Sequence, residues 1–221
     1  MKTSISDGAL GDAVRSELEW DPKVDQTHIG VAAADGAVTL TGYVRSYAQE
    51  HAAVRAAERI YGVRAVADEL EVRLPQPFER NDTEIAEEIS RQGEWNTLIP
   101  KGVSAEVKNG AVTLRGEVEW AFQRDDTEQA IRHLAGVRSV TNTITVKPSG
   151  TAESGEIKER VEDAIERQAN LDAHSISVTA EGGTVRLHGR VRTLAQSRAA
   201  VKAAEAAPGV TLVENDLVIR P

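Results

Sequence analysis

The chain has 221 residues with Lys+Arg 26 against Asp+Glu 35, a formal net charge of −9. That balance argues against nucleic acid as a partner and against simple electrostatic adhesion of the whole chain to anionic lipid. It contains no cysteine, which excludes disulfides, thiol catalysis and Cys-bound metal clusters, and aromatics are only 4%, so any core is built from Val, Ile, Leu and Ala.

The first twenty residues carry a single Lys2 and no apolar stretch, with Asp7 and Asp12 where a secretory leader would be apolar. No run of about 18 apolar residues occurs anywhere, so a membrane-spanning helix is not expected. A cytoplasmic location is therefore expected.

Beyond the N-terminus the chain repeats itself. The segments Asp35-Gly36-Ala37-Val38-Thr39-Leu40-Thr41-Gly42, Asn109-Gly110-Ala111-Val112-Thr113-Leu114-Arg115-Gly116 and Gly182-Gly183-Thr184-Val185-Arg186-Leu187-His188-Gly189 align at offsets of 74 and 73 residues. Twenty residues after each closing glycine comes a Gly-Val pair: Gly62-Val63, Gly136-Val137 and Gly209-Val210. Three anchors kept in register across the whole chain mean three copies of one unit. The expected domains are 1–75, 76–148 and 149–221.

Within each copy the elements follow in the same order. A helix opens it, with apolar positions four apart at Leu10, Val14, Leu18, at Ile85, Ile89, and at Ile157, Val161, Ile165. A strand follows with alternation at Ile29, Val31, Ala33, at Val103, Ala105, Val107, and at Ile176, Val178, Ala180. Asp35-Gly36, Asn109-Gly110 and Gly182-Gly183 supply the positive φ angles of a two-residue hairpin turn. The second strand sends Val38, Leu40 and Val44 inward, and parity places Gly42, like Gly116 and Gly189, inward as well. The missing side chain there is expected to let a helix pack close to the sheet.

A second helix is predicted over about 46–60, 120–134 and 193–207, with a buried stripe of Ala48, Ala52, Ala56 and Ile60 in copy one. Copy two offers Phe122, Ala130, Ile131 and Leu134 for the same stripe. Ser46 and Thr193 read as N-caps, and Gly62, Gly136 and Gly209 as left-handed ends. A last strand closes the unit. The fold class is thus α+β: three tandem α-β-β-α-β units, each a three-stranded mixed sheet with two helices on one face. Leu74-Pro75-Gln76-Pro77 reads as a stiff extended linker and 147–155 as a looser one, so copies one and two are expected to hold the more fixed relation.

A hairpin turn, Gly-x-Val-x-Leu-x-Gly-x-Val, then about twenty residues to Gly-Val and an Asn/Asp-x-Leu/Ile-x-Val ending resembles the BON domain. The resemblance runs through all three copies. It implies the α/β unit just described and a non-enzymatic role in osmotic or envelope stress, with phospholipid surfaces or another protein as partner. One potassium-binding relative makes a small-cation sensor the alternative, and self-association through exposed sheet faces a further one, so a homo-oligomer stays open.

No catalytic constellation stands out. His28, His51, His133, His174 and His188 never share a column of the repeat, and no metal-ligand or nucleophile-elbow spacing occurs. No catalytic residue, metal or cofactor is expected. The recurring glycines Gly36, Gly42, Gly62, Gly110, Gly116, Gly136, Gly183, Gly189 and Gly209 are assigned to backbone geometry. The polar column Asp68, Asn142, Asn215 has inward parity and reads as an Asx-type bond to nearby backbone, or as one oxygen per copy toward a small cation.

The candidate binding residues lie on the outward face of the second strand of copy three. Arg186, His188, Arg190 and Arg192 share one parity, an undiluted cationic strip that fits phosphate headgroups or an acidic partner. Trp120, standing where the other copies have a cap residue, and Phe122 are candidates for an interface between repeats, with a second chain, or with a membrane. Trp20 and Trp95 read as core or repeat-packing residues.

Overall fold

The computed structural model describes residues 5–95, 100–147 and 153–220. Repeat 1 runs α1 (Asp7–Trp20), β1 (Ile29–Ala34), β2 (Ala37–Val44), α2 (Tyr47–Arg59) and β3 (Ala65–Val72). Repeat 2 runs α3 (Asp82–Trp95), β4 (Ser104–Lys108), β5 (Ala111–Arg115), β6 (Glu117–Val118), α4 (Ala121–Arg132), β7 (Ser139–Asn142) and β8 (Thr145–Val146). Repeat 3 runs α5 (Ser154–Glu166), β9 (Ile176–Glu181), β10 (Thr184–Val191), α6 (Leu194–Glu205) and β11 (Leu212–Ile219). The middle strand pairs antiparallel with the strand before it and parallel with the strand after the second helix, giving orders β1-β2-β3 and β11-β10-β9. In repeat 2 the ladder breaks at Gly116, so β4-β5-β7 and β6-β8 form separate pieces.

Local chemistry explains these elements. Ser46 and Thr193 accept hydrogen bonds from the N–H groups of Gln49 (3.2 Å) and Gln196 (3.1 Å), as N-caps do. The glutamines return the favour: Gln49, Gln123 and Gln196 accept from the N–H of Arg45, Glu119 and Arg192. Each opening helix also holds its own hairpin turn. Asp7 accepts from Asp35 N–H (2.9 Å), Asp82 from Asn109 and Gly110, and Ser154 from Gly182 (3.0 Å).

Three separate cores result. Leu10, Val14 and Leu18 meet Val38, Leu40, Ala53, Ala56 and Ala57 in repeat 1. Ile157, Val161 and Ile165 meet Val185, Leu187, Ala200 and Ala204 in repeat 3. Repeat 2 lacks the third aliphatic residue on its first helix. Gly93 stands at that place with nothing within 4 Å of a Cβ, beside a cavity of about 310 Å³ lined by Ile89, Val103, Leu114 and Ile131.

Several expectations change. The buried stripe of α2 is Ala53, Ala56 and Ala57, rotated from the predicted one, and Phe122 of α4 is 51% exposed. A Cβ on Gly42, at φ 108, would fall on the His28 carbonyl oxygen, so the glycine makes room for the entry of the preceding strand and not for a helix. Gly189 meets Ser175 in the same way. In repeat 3 only Gly182 of the turn pair has a positive φ. The linker after Leu74 is not fully extended, because Gln76–Phe78 forms a single 3₁₀ turn.

The largest change is between repeats. The second helices touch head to tail around a closed cycle, at equivalent or adjacent positions of the repeat. His51 of α2 meets Arg132 of α4 (3.4 Å), Arg124 of α4 bonds Glu205 of α6 (2.8 Å), and Arg198 of α6 bonds Glu58 of α2 (2.6 Å). Tyr47 of repeat 1 packs on the core of repeat 2, and Leu194 of repeat 3 on the core of repeat 1. Repeats 1 and 3, farthest apart in sequence, are thus in direct contact, which linker composition gave no reason to expect.

Candidate functional site

In repeat 3 the outward positions of β10 carry Arg186, His188 and Arg190, with Arg192 just beyond. Parallel pairing with β11 sets Glu214 opposite Arg186 and Asp216 opposite His188. Arg186 bonds Glu214 and lies 3.6 Å from Asp216, and His188 Nδ1 lies 3.6 Å from the same carboxylate. The hydrogen bond that Arg186 donates to Glu214 raises its guanidinium above the ordinary range. The strip is therefore diluted, and half of the expected cationic set is neutralised by a neighbouring strand whose register the single-strand pattern did not show.

Past Asp216 the acids stop. Arg190 sits opposite Val218, and the chain reaches Arg220, whose N–H donates to the Val191 carbonyl (2.9 Å). Among the described residues, no side-chain ion pair is made by Arg190, Arg192 or Arg220. All three line an open cavity of about 450 Å³ together with Asn170, Ser175 and Gln196. Asp172 supplies the one carboxylate of that lining. Gln196 braces it, donating to the Asn170 carbonyl (2.7 Å) while accepting from Arg192 N–H (2.8 Å).

The other repeats show what this end of the unit does when it is self-satisfied. Repeat 1 places Tyr43, Arg45 and Arg73 there. Arg73 lies over the Tyr43 ring at 4.6 Å and bonds Glu71 (2.8 Å), while His28 also stacks on that ring at 4.3 Å. Repeat 2 places Glu117, Glu119 and Lys147, with Lys147 bonded to Glu117. A basic residue closes all three repeats; repeat 1 adds one further cation, Arg45, set 4.0 Å from Asp25, and repeat 3 adds two, Arg190 and Arg192. Like charges on adjacent strands repel, so the cluster costs stability unless an anion meets it. Guanidinium forks suit phosphate or carboxylate, and the cavity wall offers donors to either.

Arg220 and Gln196 escaped sequence reasoning. The signals were present: a basic residue closing each copy, and a glutamine three places after each cap position. Of the aromatic candidates, Trp120 is half-buried at the start of α4, with its own N–H donated to Gln123 (3.0 Å), and Phe122 projects outward. Neither lines the arginine cavity. Trp20 is 82% exposed, which corrects its reading as a packing residue; the side chain of Trp95 lies outside the described residues. In the polar column, Oδ1 of Asp68, Asn142 and Asn215 accepts from the N–H two residues on at 3.1, 3.1 and 3.2 Å, the Asx-type bond.

A family model described as the BON domain matches residues 6–73, 81–148 and 154–221. Osmotically-inducible protein Y of Escherichia coli (strain K12) is 31% identical over 148 residues, spanning 65% of this chain and 74% of that protein. That relative is a periplasmic protein, which overturns the cytoplasmic location expected from the first twenty residues. Among solved structures, CdsD, a structural protein of the type III secretion system of Chlamydia trachomatis, matches at 14% identity over 95% of this chain and 91% of that one, with a TM-score of 0.27. The C-terminal domain of CdsD matches at 15% over 98% and 100%, also at 0.27, values too low to bear on the arrangement of the repeats. Three matched copies that take in nearly all of the sequence, each with the mixed sheet and paired helices described above, make this chain a member of the BON domain family.

Proposed function

We propose that this osmotic-stress-related protein is a non-enzymatic binding module whose third repeat docks on anionic phospholipid surfaces. The observation that carries the reading is the trio Arg190, Arg192 and Arg220, unpaired around one open cavity while the equivalent ends of repeats 1 and 2 are satisfied internally. A phosphodiester headgroup offers the planar pair of oxygens that a guanidinium fork matches. Each basic side chain held at an anionic membrane contributes about 1 kcal/mol, so three provide weak, salt-sensitive attachment of about 3 kcal/mol. The net charge of −9 keeps the rest of the molecule off such a surface and so orients the docking.

Flotation with vesicles containing phosphatidylglycerol, compared with purely zwitterionic vesicles, tests this. Binding should require the anionic lipid, fall as salt is raised, and disappear in Arg190→Glu plus Arg192→Glu. Equal flotation of that double variant and the parent protein would remove lipid docking by repeat 3.

A further inference from the structure

The three repeats differ in what stands between the first helix and the sheet. The third apolar place of that helix is Leu18 in repeat 1 and Ile165 in repeat 3, both buried, but Gly93 in repeat 2. The next strand is cut back at a matching place: Val31 and Val178 pack in their cores, and repeat 2 has Ala105 there. Gly93 and Ala105 line the same cavity of about 310 Å³. Ile131, larger than its counterparts Ala57 and Ala204, lines this space without closing it. Ile89 is left only partly buried, whereas its counterparts Val14 and Val161 are completely covered.

The cavity has an apolar floor and a polar rim. Leu114 and Ile131 are buried at the bottom, and Thr127 beside them donates its hydroxyl to the Gln123 carbonyl (2.6 Å). Ser90, Lys101 and Ser104 are exposed at the edge. Lys101 is the one charged side chain among the described lining residues, and it makes no ion pair among the described residues. It sits where the sister repeats form the 3₁₀ turns Gln26–His28 and Ala173–Ser175, a turn that repeat 2 replaces by Pro100-Lys101-Gly102. In a chain of net charge −9, a single cation over an apolar cleft favours an anion that carries an apolar tail.

We propose that repeat 2 binds a straight-chain fatty acid, its carboxylate at Lys101 and its hydrocarbon under α3, in the place that Leu18 and Ile165 fill in the sister repeats. Size sets the length of the chain. An apolar cavity of about 150 Å³ accepts benzene. A cavity of about 310 Å³ therefore takes one chain of about ten carbons. The two acyl chains of a phospholipid exceed that space, so the ligand is the free acid. Its methylenes supply the contacts that Gly93 and Ala105 leave unmade, and binding stabilises repeat 2. The site shares no residue with the arginine cavity of repeat 3.

The test is titration calorimetry of the full chain at pH 7 with sodium decanoate below its micelle-forming concentration, with acetate, decanol and phosphatidylcholine vesicles as comparisons. One decanoate should bind per chain, saturably, while acetate and the vesicles give no signal. Gly93→Leu should weaken decanoate binding at least tenfold while melting no lower than the parent, and Ala105→Val should weaken it severalfold. Lys101→Gln should lower the affinity for decanoate by up to about fivefold, the worth of one exposed charge pair, and leave that for decanol unchanged. Arg190→Glu plus Arg192→Glu should bind decanoate as the parent does. The proposal is overturned by an absence of saturable binding in the parent, by parent-like affinity in Gly93→Leu or Lys101→Gln, by vesicles binding in place of decanoate, or by loss of binding in the double arginine variant. Should Gly93→Leu not fold, parent-like affinity in Ala105→Val is equally decisive.

Discussion

Cutting the Arg198–Glu58 contact should weaken the protein by an amount that depends on which partner is removed. The Glu58 side chain is only 5% exposed, accepts two bonds from Arg198 at 2.9 and 2.6 Å through Oε1, and leaves Oε2 buried without a partner. Arg198 is 53% exposed. Arg198→Ala therefore strands a carboxylate away from water, a situation that costs about 3–5 kcal/mol when fully buried. Because the arginine side of the contact is open and water can enter, about 2 kcal/mol is expected. Glu58→Ala strands only a half-exposed guanidinium that water resolvates, and should cost about 1 kcal/mol or less. Replacing both residues by leucine removes the unrepaid desolvation and should restore stability close to that of the parent. Urea denaturation at pH 7, followed by circular dichroism with a common slope, measures all three. Equal losses in the two single variants, or a loss below about 0.5 kcal/mol for Arg198→Ala, would refute the view that a buried carboxylate clasps repeat 3 to repeat 1.

Gly42→Ala should cost at least about 2 kcal/mol, through its positive φ and the clash with the His28 carbonyl, whereas Gly8→Ala, in the first turn of α1 with nothing within 4 Å of a Cβ, should cost nothing and bring at most a small gain in the same melts. Gly93→Ala should raise stability by about 1 kcal/mol from helix propensity alone. Gly93→Leu should add more by filling the cavity beside Ile89 and Leu114; a loss in the leucine variant would mean that the space is not available to a side chain.

Periodicity alone determined the triplicate architecture, because a hairpin turn, a strand pair and a capped helix are each specified by residues close together in the chain. The turn glycines Gly36 and Gly110, the caps Ser46 and Thr193, and the inward positions of the second strands fall where local geometry requires them, while Ala105 of β4 is exposed and Gly183 lacks a positive φ. The candidate site was half legible. The basic character of β10 is written in one strand, but its neutralisation by Glu214 and Asp216 depends on the register of a strand some thirty residues on, and the survival of Arg190, Arg192 and Arg220 depends on where those acids end. Phe122 and Trp20 were misjudged because helical spacing gives a stripe but not the angle at which the helix settles on its sheet. Only the tertiary structure decided the closed cycle of second helices. Arg198 and Glu58 are 140 residues apart, and nothing local in either sequence neighbourhood selects the other. Such contacts arise when three preformed units pack, from the shape and charge of whole helix faces, and that information is not carried by any window along the chain.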